Sequence, residues 1–147
     1  MSKKTDLIRS ELARIARESG GILLPKKVVD AARDEKSPLH SRFEWNNGRA
    51  AEKYRLWQAR VLISVTVNIV EQTGESEQVW VSLKPDQKEA GGYRSLISVL
   101  SDKDMRAQLL QDAMQDMEIF EQKYKHLQEL SEVFAAVGRA RRKAKAA

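Results

Sequence analysis

Apolar residues first recur at helical spacing near the amino terminus, where Ile8, Leu12, Ile15 and Ala16 mark one face of a helix over about residues 6–18. Ser19, Gly20 and Gly21 end it, and Arg9, Arg14 and Arg17 fall largely off its apolar face. Pro25 suits the first turn of a second helix, because an N–H there would have no intrahelical partner in any case. That helix is expected over about 25–34, with Val28, Val29 and Ala32 turned inward. Ser37 precedes Pro38 and is pushed out of the α region, so the pattern breaks, leaving room for one short turn at about 38–43. A third helix starts at Asn46 or Asn47, either of which is able to cap it. Ala50, Tyr54, Trp57 and Val61 repeat along it at four, three and four, the spacing of an apolar face.

Near Ile63 the period changes to two. Val65, Val67 and Ile69 alternate with Thr66, Asn68 and Val70; a turn follows at about 72–76, and Val79, Val81 and Leu83 alternate again. This pattern, rich in β-branched residues, predicts an antiparallel hairpin over about 63–84. Residues 85–92 read as exposed loop, and 93–100 fit either a short helix or a strand. Ser101, Asp102 and Asp104 then form a helix start whose acidic groups suit the helix dipole. The helix beyond is the longest expected, running to about 137. Leu110, Met117, Phe120, Tyr124 and Leu127 form its seam, expected to pack partly on its own domain and partly on a second subunit as the oligomerisation stripe. Ser131 interrupts that seam, Phe134 resumes it and Gly138 is the expected stop. The fold class is therefore mainly α with a small β-hairpin: a winged-helix-like domain over 1–100, a long amphipathic helix over 101–137 and a disordered basic tail over 138–147.

At 147 residues the chain is long enough for a real core without staples. Cysteine is absent, which excludes disulfides and cysteine-ligated zinc, and His40 and His126 stand far apart in no ligand spacing. The longest apolar-leaning run, residues 61–70, contains Ser64, Thr66 and Asn68 and falls far short of a membrane span. The amino-terminal residues lead into an amphipathic pattern with no apolar signal-peptide core. An intracellular, soluble protein without membrane, metal or cofactor is the expectation.

Charge changes the picture most. Residues 1–60 carry fourteen basic and eight acidic side chains, residues 61–137 seven and thirteen, and residues 138–147 five and none. A polyanion would meet the two ends of such a chain very differently from its middle, and nucleic acid is the commonest polyanion a small basic protein meets. Three helices followed by a hairpin is the element order of many winged-helix DNA-binding domains, where an exposed helix enters the major groove. The third helix is the candidate reader of double-stranded DNA, with Arg49, Lys53 and Arg60 near one another on its polar side and Glu52 as an acidic interruption. Lys26 and Lys27 sit at the start of the second helix, where backbone N–H groups also favour an anion. Arg139, Arg141, Arg142 and Lys143 in the tail are available to phosphate. The expected wing, residues 72–78, argues the other way, since it holds Glu75 and Glu77 and no basic residue.

The aromatic residues are expected to pack. Leu39, Phe43 and Trp45 seal the joint between the second and third helices, and Tyr54 and Trp57 belong to the same core. Trp80 falls on the hairpin face opposite Val79 and Val81, within reach of a partner, although packing is the favoured role for it too. His40 with Glu44 lacks both the third orienting group of an acid–base site and the further ligand of a metal site. Gly91-Gly92-Tyr93-Arg94 lacks the further glycines and the terminal lysine of a phosphate loop. No catalytic signature is present, so a non-enzymatic protein is expected.

Several of these stretches also carry a resemblance. Ser37-Pro-Leu-His40, Phe43-Glu-Trp45, Tyr54-Arg-Leu-Trp-Gln-Ala-Arg60, Gly91-Gly-Tyr-Arg94 and Tyr124-Lys-His-Leu-Gln-Glu-Leu130 resemble a family of small uncharacterised proteins from tailed phages and prophages. The resemblance covers most of the chain from Gly20 to Val137. It implies a phage or prophage gene product acting in the host cytoplasm and brings no site residues with it. A DNA-binding role in phage regulation, replication or packaging suits the charge pattern. The alternatives are an adaptor or inhibitor that engages a host protein complex, and a subunit of a larger packaging assembly.

Overall fold

A computed structural model describes residues 3–69 and 76–146. The chain is mainly helical with a small antiparallel sheet, and it divides into two units, Met1–Asp102 and Lys103–Ala147.

In the first unit, α1 (Lys3–Glu18) buries Ile8, Leu12, Ile15 and Ala16, the residues its periodicity singled out. It stops where Gly21, at φ 91°, returns its amide to the Ala16 carbonyl at 2.8 Å, a backbone turn that side chains disfavour. After β1 (Ile22–Leu23), α2 (Pro25–Ala32) buries Val28, Val29 and Ala32. A single turn of tighter helix at His40–Arg42 leads towards α3 (Arg49–Ser64). Neither Asn46 nor Asn47 caps α3 as expected; Gly48 is the cap residue, and no side-chain bond is made there.

The expected hairpin forms only in its inner half. β2 (Val67–Ile69) pairs antiparallel with β3 (Ser76–Gln78), placing Val67 opposite Gln78 and Ile69 opposite Ser76. The connecting residues 70–75 lie outside those described. Beyond Gln78 the chain leaves the hairpin, and β4 (Trp80–Val81) pairs instead with β5 (Tyr93–Ser95), which also takes β1, for a sheet order β1-β5-β4. Gly92 makes this closeness possible, because a methyl group at its α-carbon would overlap the Ile22 side chain. Where a loop was expected between the strands lies α4 (Lys84–Glu89), with Pro85 in its first turn. Arg94 of β5 forks onto Asp86 of α4 at 2.7 and 3.1 Å, and this pairing raises the guanidinium pKa. Residues 93–100 resolve into β5 followed by the start of α5 (Leu96–Ser101), so both readings of that stretch hold in turn. The core joins Leu12, Leu23, Val28, Val29, Leu39, Ile63 and Trp80. Trp80 is only 6% exposed, so it takes the packing role favoured for it and is out of a partner's reach.

The second unit is a helical hairpin. α6 (Lys103–Tyr124) and α7 (Ser131–Ala146) flank a short turn at Gln128–Leu130. Two expectations are corrected here. The single long helix breaks after Tyr124, because the backbone at Leu127 turns extended (φ −86°, ψ 101°). The tail expected to be disordered continues α7 as helix through Ala146, with Gly138 inside it rather than stopping it. The two helices run antiparallel: Leu110 and Met114 share a groove with Arg141 and Ala144, and the Phe120 ring meets Phe134 edge-on at 6.1 Å. Leu110, Met117, Phe120 and Leu127 of the expected stripe remain exposed, and Tyr124 is half-buried. Among the described residues, no helix is long and apolar enough to cross a membrane.

Candidate nucleic-acid interface

The site is built on α3, which is apolar on two sides. Arg55, Leu56, Ala59, Leu62 and Ile63 turn to the interior, with Ala59 and Ile63 sealed from solvent. Lys53, Tyr54, Trp57, Arg60 and Val61 occupy the outer side and are exposed. The aromatic stripe expected in the core is thus on the surface: Tyr54 is 49% and Trp57 55% exposed. Both stripes satisfy three-four spacing, so periodicity alone cannot choose between them. The inner one packs into the core cluster that α2 shares. The outer rings lie against each other, with centroids 5.7 Å apart and planes 21° apart.

Basic residues flank those rings. Lys53 and Arg60 are two turns apart along the helix, and among the described residues neither is held in a salt bridge. Arg49 begins α3, but its side chain lies outside those described. Glu52, the acidic interruption, is drawn away towards α2, bonded to Arg33 at 2.8 Å and to Arg55 at 3.4 Å. The outer side of α3 is therefore left with positive charge and π faces.

A second cluster fixes the entry to α3. The Trp45 indole donates to the His40 carbonyl at 2.8 Å, and its ring stacks on His40 at 5.0 Å. His40 Nδ1 in turn donates to the Ala32 carbonyl at 2.8 Å, tying the turn to the end of α2. Arg55, 5% exposed, lies over the Trp45 ring and donates to the Glu44 and Asn46 carbonyls. This arginine escaped sequence reasoning; its place on the inner face among Leu56, Ala59 and Ile63 is the signal that marks it as structural. His40 and Trp45 work for the joint, as Phe43 and Leu39 do.

The remaining candidates are dispersed. Lys26 and Lys27 are exposed at the start of α2, but Lys27 borders a depression between α1 and α2 with Arg14, Glu18 and Asp30, away from the outer side of α3. In that region Arg14 bonds both Glu11 and Glu18; its hydrogen bonds hold the Glu11 carboxyl below the usual range. Arg139, Arg142 and Lys143 are exposed on α7, whereas Arg141 turns towards α6. Of the two acids expected at the wing, Glu77 is exposed in β3 and Glu75 lies outside the described residues. A cleft of about 430 Å³ beside α1 is bordered by Arg9, Arg17, Ser98 and Trp80. Among the described residues, no group of three histidine or acidic side chains is placed to hold a metal. Comparison with protein-family models, curated proteins and solved structures gave no match.

Proposed function

We propose that this is a non-enzymatic, winged-helix-like DNA-binding protein of a phage or prophage, acting in the host cytoplasm in regulation, replication or packaging. The observation that carries the reading is the outer side of α3, where Lys53 and Arg60 stand exposed while Glu52 is drawn towards α2. The element order supports it in outline: α1, β1, α2 and α3 precede four strands, and the last of them, β5, lies beside β1 in the β1-β5-β4 sheet. On this reading the wing is the β4–β5 connection rather than the β2–β3 turn. That relocation lessens the objection of an acidic wing, because the connection sets Lys84 and Lys88 against Glu89, while its Asp86 is paired with Arg94. The helical hairpin of the second unit serves as the dimer contact, and its exposed Arg139, Arg142 and Lys143 add attraction for phosphate.

Retention on duplex DNA across a salt series tests this. The wild type should bind at low salt, and replacing Lys53 and Arg60 by alanine should lower the slope of log affinity against log salt by about 0.9 for each phosphate no longer neutralised. A slope unchanged by those substitutions would remove α3 from the interface. The adaptor reading is kept as second choice because Tyr54, Trp57, Val61 and Val65 are all exposed on or next to α3.

A further inference from the structure

We infer that the outer side of α3 receives unpaired bases, so that the preferred ligand is single-stranded nucleic acid stacked on Trp57 and Tyr54 with its phosphates held by Lys53 and Arg60. This rests on the nucleic-acid reading above and narrows its substrate. Tryptophan is highly buried on average, and here Trp57 is more than half exposed beside a second aromatic ring. The two rings already lie face to face within 21°, so a base adding to them orders little that is not ordered beforehand. Within a duplex each base covers its neighbour's face, and an aromatic side chain reaches only edges and backbone. An unpaired base offers its whole π face, and stacking of that kind is indifferent to sequence. Lys53 and Arg60 bracket the rings over about 10 Å of helix axis, as a strand whose charge accompanies its bases requires. A protein surface would use Tyr54, Trp57 and Val61 equally well but has no need of two cations around them, so charge complementarity favours the polyanion.

The test is anisotropy of the intact protein with a labelled single strand and with its duplex of equal length, read together with tryptophan emission. The single strand should bind more tightly and quench the emission, and Trp57→Phe should remove most of that quench, because Trp80 is buried and Trp45 half-buried. Trp57→Ala should weaken single-strand binding about tenfold, Trp57→Phe should restore most of the affinity, and duplex binding should change less than about twofold. Thermal melting of each variant, expected to match the wild type because the residue is exposed, separates binding from folding. Tighter duplex binding, with Trp57→Ala affecting both ligands equally or neither, would overturn this inference and leave the DNA-binding reading standing. No binding of either nucleic acid at low salt would overturn both and favour a protein partner.

Discussion

The two units solve the same problem with unequal means. In the first, helices α1, α2 and α3 and the β1-β5-β4 sheet close around one cluster in which Leu12, Leu23, Val28, Val29 and Leu39 are fully buried. In the second, among the described residues, Asp112 is the one buried residue and no apolar side chain is buried. Both are made of amphipathic helices, so composition is not the difference. Two antiparallel helices touch along a single line, and an apolar stripe about 100° wide cannot be covered by one neighbour. A third layer is what the first unit has. The second is left with Leu110, Met117, Ile119, Phe120, Leu127 and Val133 open, and these are the side chains the proposed dimer contact would draw on. Its charges suit a second copy, since α6 is predominantly acidic and α7 exposes Arg139, Arg142, Lys143 and Lys145.

The largest expected effect sets one unit against the other. Leu12→Ala removes a sealed side chain and should cost about 2–5 kcal/mol in urea unfolding. Met117→Ala, at a residue left exposed, should cost less than about 1 kcal/mol in dilute solution. Equal losses would erase the contrast. Next in size is assembly. Light scattering should show an average mass that rises with concentration for the wild type, and Leu110→Asp with Phe120→Asp should hold the protein at the monomer mass. A wild type that stays monomeric at every concentration would withdraw the dimer from the proposal.

Much of this contrast is legible in the sequence and some is not. The faces of α1 and α2 follow from spacing because each helix has a single apolar stripe. α3 misleads because it has two, and which stripe packs depends on α2, a long-range neighbour that periodicity does not encode. Trp80 takes the packing role favoured for it, because the sheet that β4 joins presents it to the core. The break after Tyr124 carries no proline or glycine to announce it. Of the interface, Lys53 and Arg60 follow from charge and helix position alone. The exposed rings between them do not, since large aromatics ordinarily belong inside.

Smaller effects sharpen the picture of the first unit. Asp86→Asn breaks the fork from Arg94 that ties α4 to β5 and should cost about 1.5 kcal/mol, seen as a lowered unfolding midpoint. No shift would mean that solvent screens the pair fully. Smallest is the response to acid at Glu11. Its carboxyl is held below the ordinary value of 4.5 by hydrogen bonds from Arg14, so its contribution is complete above that value and fades as the pH falls through the lower folded one. Because Arg14 stands open to solvent, screening keeps this gain small. Thermal melts of the wild type and Glu11→Gln should therefore converge as the solution is acidified from above 4.5 down through the lower folded value. A constant separation across that range would show that the Arg14 bond does not set the carboxyl's acidity.

The central claim is that nucleic acid engages the first unit through the outer side of α3. Hydrogen exchange of the intact protein, compared with and without saturating single-stranded DNA at low salt, reads this directly. New protection should centre on residues 52–64, with weaker protection on α7 where basic residues add attraction for phosphate. Protection confined to α7, with α3 exchanging as in the free protein, would contradict it.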